Sequence, residues 1–198
     1  MPRPPRSASP APAARRRRVL ADLAARAVIP GTALGGRLAR ARAARIPRRA
    51  LVELGLMLPL YAGFPAAIEF LRALAAVPFA AAPRTIGARP ASNGRRAIRA
   101  RGERLCARVY GPDYPRLRSF MRALAPEIDD WMIEDGYGRT LSRPGLSVVE
   151  RELVTVAALA ALGWERQLTA HRAGALRVGA QAAEVRAAER AGRARARA

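Results

Sequence analysis

The chain of 198 residues holds one histidine, His171, and one cysteine, Cys106. A single histidine cannot build a multi-histidine metal site. A single cysteine cannot form an intrachain disulfide, a cysteine-rich zinc site or a two-cysteine redox centre. No multi-histidine or cysteine-rich metal site is therefore expected. Around His171, Leu168, Ala175 and Leu176 stand at i−3, i+4 and i+5, which directs the imidazole inward on a helix. Glu152 has Val149, Val156 and Leu159 at i−3, i+4 and i+7, so its carboxylate also lies on an apolar stripe. Consecutive helices joined by a short turn pack antiparallel. Glu152 is about three turns before the turn at Gly163 and His171 about two turns after it, so the two side chains can meet. A buried carboxylate–imidazole pair holds a general acid/base near neutral pH. The competing reading is a hydrogen-bonded core histidine with Glu152 as its structural partner.

The elements that would position this pair are helical. Ser147-Val148-Val149-Glu150 is a capping box, which gives Glu150 a structural task. It opens a helix over 148–162 that carries no charge after Glu152 and ends at Gly163. Apolar on all sides, this helix belongs at the centre of the fold. A second helix runs over about 164–178, with Gly179 beyond its end. A third would begin near Ala182 but decays into an Arg-Ala sequence with little to bury. Upstream, the apolar block 47–77 is interrupted by Gly55, Pro59, Gly63 and Pro65, and reads as two buried helices meeting near Gly63 rather than a membrane span. Residues 102–110 and 114–124 read as helices around a break at Gly111-Pro112, and Pro126 opens a further segment. No alternating strand pattern is present, so the fold class is all-α. Trp131, Trp164, Tyr61 and Tyr137 read as core or pocket wall.

The 51% hydrophobic share is enough for a packed core. The net charge of +21 suggests a nucleic-acid partner, but its distribution does not. Every basic residue is Arg. Residues 1–50 carry a net +12 and the tail 166–198 a net +6, whereas 103–165, the best-patterned stretch, carries −2. Arg scattered among Ala, Pro and Gly reads as compositional bias rather than a folded phosphate-binding face. No nucleic acid and no membrane are expected as partners. Residues 1–15 and 186–198 read as disordered tails and 83–101 as a linker. The basic, acid-poor start also resembles a transit peptide, but a solvated tail is the preferred reading, and no secretory signal is present. A reducing compartment suits the lone cysteine, and a cytoplasmic location is expected. Because the 148–162 helix is apolar all round, self-association is also expected.

The stretch RPGLSVVERELVTVAALAALGWERQLTAHRAGALRVGAQAAEV (143–185) resembles the carboxymuconolactone decarboxylase family of the alkylhydroperoxidase D-like superfamily. WMIEDGYGRTLSRPGL (131–146) extends the resemblance, and LMLPLYAGFPAAIEFLRAL (56–74) is similar to the helix that closes the family's repeat. Two copies are implied: a degenerate first repeat over 16–82 and a better-kept second over 102–185. An offset of 133 positions places Val19 under Glu152 and Leu38 under His171. The first copy thus lacks the polar pair, and the second lacks a closing helix.

Superfamily peroxidases carry a CxxC pair between the Glu and the His. Here Trp164 and Gln167 hold those positions, which excludes thiol peroxidase chemistry. The Gln167-Leu168-x-x-His171 pattern resembles the decarboxylase branch. The resemblance implies cofactor-free decarboxylation of a small carboxylated unsaturated lactone, or a related intermediate of aromatic-compound catabolism. His171 would be the general acid and Glu152 its orienting partner. Arg143, in the family-like RPGL turn, would bind a substrate carboxylate, with Gln167, Trp164 and Tyr137 completing the binding site. A trimer or hexamer is implied. The alternative is a catalytically degenerate member acting as an oligomeric structural or binding module.

Overall fold

A computed structural model describes residues 11–79 and 94–196. The described residues form helices joined by short turns and loops and contain no strand, an all-α bundle. In chain order the helices are α1 (Ala11–Ala27), α2 (Gly35–Ala43), α3 (Arg48–Met57), α4 (Pro59–Ala75), α5 (Arg95–Tyr110), α6 (Tyr114–Leu124), α7 (Pro126–Trp131), a π-helix (Met132–Leu141), α8 (Val148–Leu162), α9 (Glu165–Arg177) and α10 (Ala182–Ala196).

Helix α8 is the axis of the bundle. Ser147 caps it by accepting from the Glu150 backbone N–H, while the Glu150 carboxylate accepts from the Ser147 backbone N–H at 2.8 Å. Residues 151–161 are all buried beneath α1, α9 and α10. The chain therefore covers every face of α8 by itself, and the argument that this helix requires a second copy does not hold. The large apolar side chains left exposed lie elsewhere. Leu60, Phe64 and Ile68 lie on α4, the last two one turn apart after the kink at Gly63, and Phe120, Leu124, Ile128 and Trp131 lie on α6 and α7.

Three expectations about the termini and the linker are corrected. The Arg-Ala segment after 185 is not a loose tail: α10 runs from Ala182 to Ala196 and packs on α8 and α1. Its stripe of small residues, Val185 and Ala188 among them, is buried because short side chains let two helices approach closely. Ion pairs fasten the rest. Arg17 of α1 reaches Glu184 at 2.9 Å, and Arg193 reaches Glu165 at 2.8 Å. Residues 95–101, inside the expected linker, form the start of α5, with Ile98 buried and Arg99 paired to Asp130 and Glu134. Residues 11–15, inside the expected N-terminal tail, form the first turns of α1. The remainder of both segments, 1–10 and 83–93, and residues 197–198 lie outside the described residues.

The block 47–77 forms α3 and α4, with a kink at Gly63 inside α4. The π-helix is not foreseen by the sequence. It packs against α5 so closely that a Cβ at Gly138 would lie 2.3 Å from the Ile98 carbonyl oxygen, and one at Gly102 would lie 2.0 Å from the Ile133 carbonyl oxygen. Two glycines thus set the α5–π-helix distance, and this contact brings Tyr110 and Tyr137 together.

Candidate functional site

Glu152 and His171 meet between α8 and α9. His171 Nδ1 lies 2.8 Å from Glu152 Oε2, a donor–acceptor distance for an Nδ1–H bonded to a carboxylate. Glu152 is buried, and the His171 side chain is 13% exposed. With Nδ1 engaged, Nε2 is the nitrogen left to exchange a proton, and it makes no hydrogen bond to a described residue. Leu168 and Ala175 back the imidazole as the spacing predicts, but Leu176 points outward, 48% exposed.

Two tyrosines complete the surroundings. The Tyr110 ring stands edge-on to the imidazole at 6.0 Å between centroids and edge-on to Tyr137 at 6.4 Å. Burial pushes the Tyr110 hydroxyl up to about 12, so it stays protonated across the physiological range. Tyr137 is buried and its hydroxyl is raised for the same reason. About one turn after Glu152 on α8, the Thr155 hydroxyl contacts Tyr61 at 2.6 Å. Thr155 donates its own proton to the Arg151 carbonyl, which makes Tyr61 the donor in that contact. Cys106 is fully buried, and burial pushes its thiol up to about 12, far from a reactive thiolate.

A cavity of about 610 Å³ lies against α6 and α9; Tyr110, edge-on to the imidazole, lines it, whereas Glu152 and His171 do not. Its apolar wall is Tyr110, Leu117, Phe120, Met121, Ala170 and Ala173; Gln167, Arg116, Arg166 and Arg177 add polar groups. Arg177 is tied to the Val109 carbonyl at 2.6 Å. Arg116 and Arg166 make no ion pair among the described residues.

Of the side chains expected to bind a substrate, Gln167 lines this cavity. Tyr137 lies behind Tyr110. Trp164 precedes α9 at the N-cap position, exposed and outside the cavity lining. Trp131 is likewise exposed rather than core. Arg143 is committed elsewhere: its Nε and Nη2 donate to the fully buried Glu53 carboxylate at 2.9 and 3.1 Å. Arg151 shares that carboxylate at 3.3 Å and donates to the Arg143 carbonyl at 2.6 Å. The RPGL turn therefore anchors α3 to α8, because a buried Glu53 requires a cation. The arginines facing the cavity, Arg116 and Arg166, stand on α6 and α9 and carry no motif of their own. Their signal in the sequence is lost among the 36 arginines of the chain.

The model of the carboxymuconolactone decarboxylase family matches residues 126–197. This segment is similar to that family. The carboxymuconolactone decarboxylase match spans α8 and α9, and with them Glu152 and His171, and runs to the end of α10, so the Arg-Ala helix is part of the family unit. It covers less than half of the chain. No curated protein and no solved structure matches the sequence. Among the described residues no helix is long and apolar enough to cross a membrane.

Proposed function

We propose that the protein is a cofactor-independent acid/base enzyme of the decarboxylase type, acting on a small carboxylated unsaturated lactone or a related intermediate of aromatic-compound catabolism. The observation that carries this reading is the 2.8 Å Glu152–His171 contact, which leaves Nε2 without a hydrogen bond to a described residue, while Tyr110, edge-on to the imidazole, also lines a cavity of about 610 Å³. Cavities of this size suit a small molecule. In the proposed step the substrate's C–C bond to its carboxylate breaks and CO2 leaves. The electron pair delocalises through the double bond toward the lactone carbonyl. Protonated His171 then delivers a proton from Nε2 to a distant carbon. Glu152 holds the ring through Nδ1 and balances the charge of the imidazolium.

The apolar wall from Tyr110 to Met121 keeps water from the carbanion-like intermediate. Arg116 and Arg166 replace Arg143 in this proposal as the cations that hold a carboxylate or the charge building on the carbonyl oxygen. Self-association belongs to the same proposal, through the exposed Leu60, Phe64 and Ile68 of α4 rather than through α8. Light scattering at micromolar concentration is expected to report a homo-oligomer.

The test is turnover of carboxylated unsaturated γ-lactones, followed by CO2 release. Release that requires folded protein supports the proposal. A folded protein that turns over none of them overturns it in favour of a non-catalytic binding module.

A further inference from the structure

A second cavity, of about 600 Å³, opens between α1, α2 and α10, away from the Glu152–His171 pair. Four arginines line it: Arg18 from α1, Arg37 and Arg40 from α2, and Arg190 from α10. The acid in the lining, Asp22, is already neutralised, since it accepts from Arg26 at 3.1 Å and from Arg37 at 3.0 Å. Arg18, Arg40 and Arg190 make no ion pair among the described residues. Other arginines of the chain are engaged. Arg16, Arg17, Arg99, Arg118, Arg143 and Arg193 are all paired. Three exposed guanidiniums with no ion pair among the described residues thus share one concave, partly apolar cavity (Val19, Leu23, Ala187).

The position of this cavity is informative. At the 133-residue offset between the two halves, Arg37 and Arg40 stand where Ala170 and Ala173 line the other cavity, and Val19 and Leu38 stand where the Glu152–His171 pair lies. The first half thus has arginines where the second has alanines, and aliphatic residues where the second has its acid/base pair.

We propose that the α1–α2–α10 cavity is a binding site for a small polyanion, a ligand with two or more adjacent anionic groups, phosphate or carboxylate, held by Arg18, Arg40 and Arg190. Guanidiniums contributed by three helices to one cavity suit such a ligand, because each offers a planar pair of donors that matches a carboxylate or phosphate edge. The site has no acid/base pair of its own, so it binds without reacting. Its ligand also bridges α10 to α1 and α2, which ties the family segment to the N-terminal half.

The experiment is isothermal titration calorimetry of the full chain at 150 mM salt, with inorganic pyrophosphate, citrate and acetate as probes. The expected result is one pyrophosphate or citrate per chain, bound at least tenfold more tightly than acetate. Tighter pyrophosphate marks a phosphorylated ligand and tighter citrate a polycarboxylate. Arg40→Gln/Arg190→Gln should weaken binding at least tenfold without changing the melting temperature of the ligand-free protein, since neither side chain makes an ion pair among the described residues. The exposed pair Arg48→Gln/Arg96→Gln removes the same net charge elsewhere and should leave binding within twofold. Equal weakening by both double variants would reduce the effect to diffuse charge and overturn the proposal. So would affinities for both polyanions no tighter than for acetate. His171→Gln should leave this binding unchanged, which separates the site from the proposed reaction.

Discussion

Gly174 lies one turn after His171 on α9, and a methyl group at that position would stand 3.0 Å from Oε2 of Glu152 and 2.7 Å from Cγ1 of Val109. The absence of a side chain at Gly174 lets α9 settle against α5 and lets the Glu152 carboxylate keep its place under the imidazole. Gly174→Ala is expected to push on the oxygen that holds His171. Overpacking of this kind costs about 1–3 kcal/mol. Activity per folded molecule should fall further than the loss of folded protein accounts for. Melting temperature and turnover measured on the same variant check this; a variant with lowered stability and unchanged specific activity would separate the glycine from the site.

Arg143 should behave as a structural residue. Its guanidinium and that of Arg151 share the buried Glu53. Removing one partner of a buried pair leaves an uncompensated charge, at a cost of about 3–5 kcal/mol. Glu53→Gln is therefore expected to lower stability by that order in a denaturant titration, and Arg143→Gln to lower it with little change in KM. Arg116→Gln and Arg166→Gln should do the reverse, raising KM at nearly unchanged stability.

Helices α8 and α9 and their polar pair are legible in the sequence because the signals are local. A capping box, an uncharged run and two carboxylate- or imidazole-centred apolar stripes lie within forty residues. The Glu53–Arg143 bridge is not legible, because its partners are 90 positions apart and Glu53 offers no motif. The same limit hides Tyr110, which reaches His171 because α5 packs against α9 at Gly174. Helix α10 is missed for a different reason. Alanine carries little hydrophobic signal in a periodicity reading, yet it packs more closely than a larger residue on α8, and ion pairs fasten the helix, Glu184 to Arg17 of α1 and Arg193 to Glu165 of α9.

Acid sensitivity should arise in part from Asp129. This buried carboxylate is held below the usual range chiefly by its hydrogen bonds from Arg118, with Arg122 adding a further bond at 2.9 Å. A carboxyl whose folded value is depressed contributes stability that is complete above its unfolded value, near 4, and that is lost as pH falls toward the folded value. Stability should therefore decline below about pH 4, and Asp129→Asn should flatten that decline while lowering stability at pH 7. Denaturant titrations at pH 3, 4 and 7 read both effects; an unchanged acid slope in the variant would contradict the assignment.

Cys106 should be inert. It is fully buried, with its thiol pushed up to about 12 by burial. Alkylation by iodoacetamide should require unfolding, and Cys106→Ser should leave turnover and oligomeric state intact. Peroxidase turnover dependent on Cys106 would contradict the absence of thiol chemistry.

The most direct measurement is the specific activity of His171→Gln, scaled to its folded fraction, in the lactone decarboxylation assay. If Nε2 delivers the proton, the variant folds and its turnover falls by about 10²–10⁴-fold, the usual effect of losing an acid/base group, while Glu152→Gln costs less. If His171 serves only the core, His171→Gln loses about 1–3 kcal/mol of stability through an unsatisfied buried partner, and its folded molecules turn over at the normal rate. That second result would contradict the account.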